Sequence, residues 1–252
     1  MIITVLGSGT AAPSLKRSQA SVWVRTGELN MLLDAGSGCL KRLMEAGGDI
    51  HDIDAVFLSH FHPDHSAELV SFLFSLKYGG SNKNKKIYLM GGPGINEFFS
   101  GLKNVYGHWI DNDNNLEIIE FDNFCRGSLK FGDIIIETCP VVHRPESIAL
   151  RLTCENKKSF VYSGDMDLTE HFENFIKNCN ILLIESAMPD DKKVEGHLTP
   201  EIAAGYAKKG CVEEMILTHL YPECNTNDFL NRAENIFKGE IKTAYDLMEI
   251  KL

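Results

Sequence analysis

Three histidines and an aspartate lie close together in the stretch FLSHFHPDHSAEL. His60, His62, Asp64 and His65 follow an apolar run that predicts a buried strand. The three imidazoles would repel one another if protonated, and they cannot all face the core. Neutral imidazoles and carboxylates are good ligands for zinc and neighbouring metals. The cluster therefore predicts bound metal.

The spacing within this cluster predicts two adjacent metal positions. Side chains two residues apart in an extended segment point the same way, so His60 and His62 can converge on one point. The chain must turn after Pro63, which lets Asp64 and His65 approach a second point. Six residues cannot complete two coordination spheres, so other segments must supply further ligands.

Three further candidates lie where predicted strands give way to polar loops, a common place for functional side chains. They are His143, Asp165 and His219, which end the segments IIIETCPVVH, SFVYSGD and EMILTH. Asp165 has two carboxylate oxygens and could bridge two metals. These three residues complete a predicted metal-binding set of seven.

His197 is a separate candidate, because it lies in a loop just before a predicted helix. Thr199 is the expected N-cap of that helix and Pro200 its first residue. This placement holds the imidazole above a helix start. The alternative is an ordinary exposed loop histidine.

The N-terminal segment GSGTAAP matches the spacing of a dinucleotide-binding fingerprint, with Gly7, Gly9 and Ala12 in place. The acidic Asp34 follows about 20 residues later. That function needs a helix opening at the glycines, with its amides facing a pyrophosphate. Pro13 and the strand hairpin that follows leave no room for such a helix. We expect a tight turn instead, which could line a pocket.

Short β-branched strands, separated by glycine, asparagine and aspartate, recur along the chain. Strands are predicted over residues 2–6, 21–26, 30–36, 55–60, 86–90, 116–121, 134–143, 148–154, 159–165, 180–186 and 214–219. Helices are predicted over residues 37–47, 66–80, 199–210 and 225–239. No linker or repeat divides them. The pattern predicts one domain over residues 1–252, of the α/β (α+β) class, with two facing sheets covered by helices.

Composition limits the expected partners and location. The formal net charge is −10, and no basic stripe is present that could grip a long phosphate backbone, so long nucleic acid is not an expected partner. No apolar run reaches the ~18 residues of a membrane helix, and the N-terminus lacks the basic start of a signal peptide. The seven scattered cysteines form no C-x-x-C pair, which favours reduced thiols and a cytoplasmic protein.

The order of these motifs resembles the metallo-β-lactamase superfamily. The resemblance covers essentially the whole chain: TVLGSGTAAP, LLDAGSG around Asp34, H-x-H-x-D-H, then His143, Asp165 in SGD, and His219 in ILTH. It implies a four-layer αββα sandwich with a dinuclear metal site at one edge. The oxygen-reducing diiron branch carries glutamate at position 62, whereas this chain has histidine, which favours a hydrolytic centre.

The resemblance also implies how two divalent ions would be held. The ligands of the first ion would be His60, His62 and His143. The ligands of the second would be Asp64, His65 and His219, with Asp165 bridging both. Asp34 would orient ligand imidazoles. Zinc is expected, with manganese or iron(II) as alternatives.

The segments GSGTAAPSLKRSQAS, DAGSGCLKRL and GHLTPEIAAGYAKKG resemble the branch of ribonuclease Z and small phosphodiesterases. There, a histidine ahead of the last ligand acts as general acid or phosphate contact, and His197 matches it. The implied mechanism is attack on phosphorus by a metal-bridging hydroxide, with Asp64 orienting the nucleophile or taking its proton and His197 protonating the leaving oxygen. Candidate substrate contacts beside the ligands are Arg144, Ser147 and Tyr221.

The chain departs from ribonuclease Z between the third and fourth metal motifs. That enzyme has a long arm there, which grips transfer RNA, but only RPESIALRLTCENKKSFVYSG separates His143 from Asp165 here. This length suffices for two strands and a turn. GSGC also replaces the usual Gly-Glu-Gly-Thr. A small phosphodiester, such as a cyclic nucleotide or cyclic sugar phosphate, is therefore the expected substrate, rather than a transfer-RNA precursor.

Two other functions stay open on the sequence alone. The same centre could hydrolyse a lactone, a thioester or another ester, since the metal ligands do not determine the substrate. A non-catalytic module could use the metals structurally, although closed structural sites need no candidate acid. The resemblance also suggests a homodimer.

Overall fold

Two seven-stranded β-sheets face each other within the part of the chain that a computed structural model describes, residues 1–79, 85–111, 115–122, 128–224 and 228–252. The strands of the first sheet are β1 (Ile2–Gly7), β2 (Ser21–Arg25), β3 (Asn30–Leu33), β4 (Ala55–Leu58), β5 (Ile87–Gly91), β6 (Leu116–Glu120) and β14 (Met248–Lys251). Those of the second are β7 (Ser128–Phe131), β8 (Ile134–Pro140), β9 (Ile148–Cys154), β10 (Ser159–Tyr162), β11 (Ile181–Glu185), β12 (Glu214–Thr218) and β13 (Glu240–Thr243). Their orders are β14-β1-β2-β3-β4-β5-β6 and β13-β12-β11-β10-β9-β8-β7.

Helices cover the outer faces of both sheets. They are α1 (Cys39–Glu45), α2 (Pro63–Ser66), α3 (Leu69–Tyr78), α4 (Ile95–Tyr106), α5 (Phe172–Phe175), α6 (Pro200–Lys209) and α7 (Asn231–Ile236). Residues of α1, α3 and α4 pack in one apolar cluster with the first sheet, and residues of α5, α6 and α7 pack in another with the second. The predicted αββα sandwich is confirmed. Within the described ranges, no helix is long and apolar enough to cross a membrane.

The apolar core between the sheets follows from strands that are buried on both faces. In β11, Ile181 and Leu183 belong to the cluster between the sheets, while Leu182 and Ile184 belong to the cluster under the helices. Successive side chains of a strand point to opposite faces, so a continuous apolar run fills two layers at once. This is why the central strands lack polar alternation.

The predicted strands are all present, but several end earlier than their sequences indicated. Strand β8 ends at Pro140 and β10 at Tyr162, so His143 and Asp165 lie in loops beyond the strands. Strands β9 and β10 pair antiparallel, which confirms the two strands and turn predicted between these ligands.

The predicted helices differ from the observed ones at their starts. The helix predicted over 66–80 is seen as α3, which begins only at Leu69, because Ser66 is the last residue of the separate helix α2 that Pro63 begins; residue 80 lies outside the described residues. The helix predicted over 225–239 is seen as α7, and residues 225–227 lie outside the described residues. Thr199 is the N-cap of α6 as predicted, but its side chain makes no capping hydrogen bond.

Among the helices and strands described, α4, α5, β7, β13 and β14 have no counterpart among the predictions. Helix α4 contains an internal glycine and several aromatic residues, which weaken the helical signal. Strands β7, β13 and β14 have only four residues each and are partly exposed, so they lack an apolar run. These three strands form where neighbouring strands supply hydrogen-bond partners, which local sequence does not reveal.

Replacing Phe160 by alanine should destabilise the protein strongly. The side chain is fully buried between the sheets, so its loss leaves a cavity, and the free energy of unfolding should fall by about 3–5 kcal/mol. Urea denaturation measures this change. Phe74→Ala is the control, because Phe74 is 47% exposed and should cost under about 1 kcal/mol. Equal losses in both variants would contradict the proposed packing.

Candidate metal centre

The seven predicted ligands lie together beyond the ends of β4, β8, β10 and β12. In a first group, ligand atoms lie within 4.8 Å of one another, and its members are His60, His62, His143 and Asp165. A second group meets the same limit, and its members are Asp64, His65 and His219. The structure thus brings together residues that are up to 159 positions apart in sequence (60 to 219).

Three imidazoles of the first group surround one point. The ring centroids of His60 and His62 are 4.6 Å apart, and that of His143 lies 4.9 Å from His60 and 5.0 Å from His62. The rings meet at 76–83°, edge to face. Nε2 of His143 lies 3.2 Å from Nδ1 of His62. Three nitrogens converging in this way form one face of a metal site.

Asp165 lies between the two groups. Its Oδ2 is 3.7 Å from Nε2 of His60 and 3.8 Å from Nε2 of His143. Its Oδ1 is 3.2 Å from Nε2 of His65 and 3.4 Å from Nε2 of His219. One oxygen therefore faces each group, which is the geometry that a bridging carboxylate requires.

The residues of both groups fit divalent metal ions. Among the described residues, Nε2 of His60, Nε2 of His65 and Oδ1 of Asp165 are buried without a hydrogen-bond partner. An unsatisfied buried polar atom is costly, and bound cations would remove that cost. Burial lowers the pKa of His60 well below its ordinary value, and the nearby charge of His65 lowers it further. This favours the neutral imidazole that a metal needs.

Asp34 holds His65 from the side opposite the centre. Oδ2 of Asp34 lies 2.7 Å from Nδ1 of His65 and accepts hydrogen bonds from the Ser59 hydroxyl (2.8 Å) and the Tyr162 hydroxyl (2.6 Å). Oδ1 accepts from the Ser59 amide at 2.7 Å. These contacts direct Nε2 of His65 toward the centre. Ser59 and Tyr162 escaped the sequence analysis, because a serine and a tyrosine at strand ends carry no distinctive pattern.

A glycine before Asp165 lets two strand ends approach each other. Gly164 has φ +57°, and a Cβ on it would lie 2.6 Å from Cβ of Ser59. A side chain at this position would push the loops apart, and the left-handed backbone would disfavour it as well. The glycine of the SGD motif thus sets the separation between Asp165 and the His60 segment.

His197 lies beside the centre and is held by Glu185, the last residue of β11. Nδ1 of His197 is 3.0 Å from Oε1 of Glu185. Its ring centroid is 5.0 Å from that of His143 and 5.4 Å from that of His219. Burial lowers the pKa of His197, but the hydrogen bond and charge of Glu185 outweigh it and raise the pKa to about 9. This shift favours the protonated imidazole, which is the form that can act as an acid.

Glu185 is a site residue that the sequence analysis missed. It is fully buried, and its carboxylate accepts hydrogen bonds from the backbone amides of Met166, Ala187 and Leu198 at 2.8–3.2 Å. Burial raises the pKa of Glu185, and the hydrogen bond to His197 opposes that shift. The signal available in the sequence was a glutamate that directly follows the apolar run ILLI of β11. Glutamates also occur at the ends of strands that have no functional role.

The candidate substrate contacts differ in their surroundings. Arg144 is exposed, whereas Ser147 is 2% exposed and its hydroxyl accepts a hydrogen bond from the Arg144 amide (3.0 Å), which closes a turn. Tyr221 is partly buried, with its ring centroid 6.4 Å from that of His219, and it is hydrogen-bonded to the side chain of Thr10. The N-terminal turn therefore borders the centre. All three substrate contacts stay predictions.

Comparisons with known proteins agree with this geometry. A family model described as "Anti-Pycsar protein Apyc1" matches residues 1–235. The ribonuclease Z 1 of Schizosaccharomyces pombe is 27% identical over 99% of this chain, which spans 34% of that protein's length. The probable metallo-hydrolase YhfI of Bacillus subtilis is 26% identical over 97% of both chains.

Solved structures show the same fold. The crystal structure of the metallo-β-lactamase fold protein YhfI from Bacillus subtilis has a TM-score of 0.86 at 25% identity, covering 99% of this chain and 98% of that one. The human short-form tRNase Z has a TM-score of 0.79 at 19% identity, covering 100% and 99%. The latter likeness concerns the fold alone. Together these findings confirm the metallo-β-lactamase, ribonuclease Z-like resemblance.

Metal removal should destabilise the protein, and metal addition should restore it. Binding to the folded state alone adds about 2.7 kcal/mol at a hundredfold excess over the dissociation constant. We expect two divalent ions per chain by plasma mass spectrometry, and a Tm that falls on chelation and recovers with zinc or manganese. Asp165→Asn should lower both affinities, and His108→Ala, at an exposed histidine, should change neither. Full metal content in Asp165→Asn would contradict the bridging role.

Glu185→Gln should shift the pH dependence of any turnover that needs the His197 acid. Loss of the negative charge lowers the pKa of His197, so the imidazolium disappears at a lower pH and the alkaline limb of kcat/KM moves to lower pH. A pH–rate profile measures this shift. Glu195→Gln, the same change at an exposed position in the His197 loop, should leave the profile unchanged. Coinciding profiles for Glu185→Gln and the wild type would refute the coupling.

Proposed function

Since the chain belongs to the family described as Anti-Pycsar protein Apyc1, we propose that it is a metal-dependent phosphodiesterase acting on a small phosphodiester, such as a cyclic nucleotide or a cyclic sugar phosphate. The observation that carries this proposal is the pairing of His197 with Glu185 beside the seven-ligand centre. Alkoxide leaving groups of phosphodiesters need a proton, and a closed structural metal site needs no such acid.

The proposed cofactors are two divalent ions, with zinc as the expected metal and manganese or iron(II) as alternatives. When bound, they supply a hydroxide nucleophile near neutral pH and neutralise charge on the phosphate oxygens. The ligands for the first would be His60, His62 and His143, and those for the second Asp64, His65 and His219, with Asp165 between them. His65 and His143 are preorganised by hydrogen bonds to Asp34 and to the Gly196 carbonyl, which exist before any substrate arrives.

Asp64 and His197 would handle the protons. Oδ2 of Asp64 lies 3.4 Å from Nε2 of His219, so the carboxylate is at the second group, where it can orient the nucleophile or take its proton. Nδ1 of His197 is engaged by Glu185, which leaves Nε2 to donate to the leaving oxygen. A ligand atom of His197 also lies within 4.8 Å of ligand atoms of Asp165 and His219, so the imidazole is beside the proposed centre.

Two features favour a small substrate over a long nucleic acid. The interval between His143 and Asp165 holds only the β9–β10 pair, with four residues joining the strands at 155–158. No extended arm exists there to hold a folded RNA. The formal net charge of −10 would also oppose a polyanion, while a single phosphodiester could be neutralised by the metal ions.

Hydrolysis of bis(p-nitrophenyl) phosphate, with zinc and with manganese, tests the proposal. We expect turnover that chelation abolishes, followed by cleavage of at least one cyclic phosphodiester in a panel of cyclic nucleotides and cyclic sugar phosphates. A transfer-RNA precursor should be left intact. Silence toward every phosphodiester in a fully metallated sample, with turnover of a lactone or thioester, would reject the proposed substrate class.

His197→Ala should lose activity while keeping its metals. General acid catalysis contributes about 10²–10⁴-fold, so kcat toward a substrate with an alkoxide leaving group should fall by that factor. The loss should be smaller for p-nitrophenolate, which leaves without a proton. His171→Ala, at an exposed histidine, is the control. Undiminished cleavage of the cyclic substrate would exclude His197 as the acid.

A further inference from the structure

The Asp167 carboxylate joins two loops beside the candidate metal centre. Its Oδ2 accepts a hydrogen bond from the Gly196 amide at 2.7 Å and lies 3.1 Å from Nζ of Lys193. Its Oδ1 accepts from the Leu168 amide at 2.8 Å and lies 2.9 Å from the same Nζ. Both oxygens are thus occupied. Since Asp167 follows Asp165 by two residues, the bridging carboxylate and this contact share one short segment.

Gly196 continues this connection to a metal ligand. Its carbonyl oxygen lies 2.8 Å from Nδ1 of His143. An imidazole has two nitrogens, so a hydrogen bond to the carbonyl at Nδ1 leaves Nε2 as the ligand atom and sets the rotation of the ring. Gly196 therefore accepts a hydrogen bond from His143 through its carbonyl and donates one to Asp167 through its amide.

The close approach of this peptide depends on glycine. Gly196 has φ +85°, a conformation that side chains disfavour. A Cβ at this position would lie 3.3 Å from Nδ1 of His143, which is tighter than an ordinary contact. Because no side chain lies between Gly196 and His143, a shift of the Gly196 backbone after loss of Asp167 would change the position of the His143 ring.

A second set of bonds ties the Asp167 segment to the residue before His143. The Asp167 amide donates to the carbonyl of Val142 at 2.6 Å, and the Val142 amide donates to the hydroxyl of Thr169 at 3.0 Å. His143 is therefore held through its backbone neighbour and through its own ring. The Asp167 segment contributes to both contacts.

We infer that Asp167 is a positioning residue, which sets the His143 imidazole through the Gly196 peptide for the metal position that His143 shares with His60 and His62. The same carboxylate holds the loop that carries His197, so one side chain aligns a metal ligand and the candidate acid. The Asp167–Gly196 bond carries this role rather than the Lys193 ion pair, because Lys193 is 32% exposed and exposed ion pairs contribute little. This inference rests on the metal centre proposed above.

Competitive zinc titration of the full chain against a chromophoric chelator tests the inference. Loss of a hydrogen-bond partner behind a ligand typically weakens metal binding by about 10–100-fold. Asp167→Ala removes the anchor of that partner rather than the partner itself, so we expect a loss at the lower end of this range, about 10-fold, for one of the two ions, with the other bound as in the wild type. Asp167→Asn keeps an oxygen that can accept from the Gly196 amide, so it should recover much of the affinity. Lys193→Met should bind both ions nearly as the wild type does.

The matched control is Asp190→Ala. Oδ1 of Asp190 accepts from the Glu201 amide at 2.8 Å, a bond of the same kind in the same part of the chain, but with no link to a metal ligand. A purely structural Asp167 would make both alanine variants lower Tm and leave both metal affinities unchanged. That result would overturn the inference.

Gly196→Ala tests the same connection from its other end, with Asp167 intact, and provides the measurement if Asp167→Ala does not fold. It should weaken one ion selectively, and unchanged affinity for both ions would again overturn the inference. The outcome is separable from the proposed function. If the wild type binds two ions but cleaves no phosphodiester, the proposed substrate class is rejected. The zinc affinities of Asp167→Ala relative to the wild type would still decide the role of Asp167.

Discussion

Clustering of five imidazoles and two carboxylates at one edge of the sandwich is the constraint on which the rest of the structure depends. Most of these groups are buried and the others, His62 and His143, are half-buried, and several of their ligand atoms find no hydrogen-bond partner among the described residues. The arrangement is costly for the protein alone, because buried polar atoms that have lost their hydration gain no hydrogen bond in return. Cations between them would turn that cost into binding energy, which is why the centre is best understood as a metal site.

The fold keeps these groups apart by giving the histidines partners on their outer sides. Asp34 holds His65, Glu185 holds His197, and Asp167 reaches His143 through the Gly196 peptide. Each of the three acids also accepts hydrogen bonds from backbone amides. These backbone hydrogen bonds hold the three carboxylates in place. The imidazole rings that the carboxylates orient are therefore held in place as well.

Two residues at the centre also have strained backbones, as do several residues elsewhere in the described chain. Asp34 and His219 both adopt left-handed conformations, with φ of 60° and 56°. Such conformations cost about 1–3 kcal/mol each in residues other than glycine and persist only where surrounding contacts over-determine them. At Asp34, four hydrogen bonds and complete burial do so. The core between the sheets, which contributes no chemistry, supplies the stability that makes this strain tolerable.

The sequence by itself predicted the αββα class, the longer strands and the seven candidate ligands that the structure brings together, because residue types that serve metal chemistry stand at the ends of strong apolar runs. Tertiary structure decided which ordinary residues support them. Ser59, Tyr162, Asp167 and Glu185 are common types in unremarkable positions, and their roles arise from contacts across up to 128 residues of sequence. Such contacts depend on which strand ends the two sheets bring together, and a local sequence pattern does not predict which strand ends become neighbours. The short strands β7, β13 and β14 could not be predicted for the same reason, because they form by hydrogen bonding to a neighbouring strand.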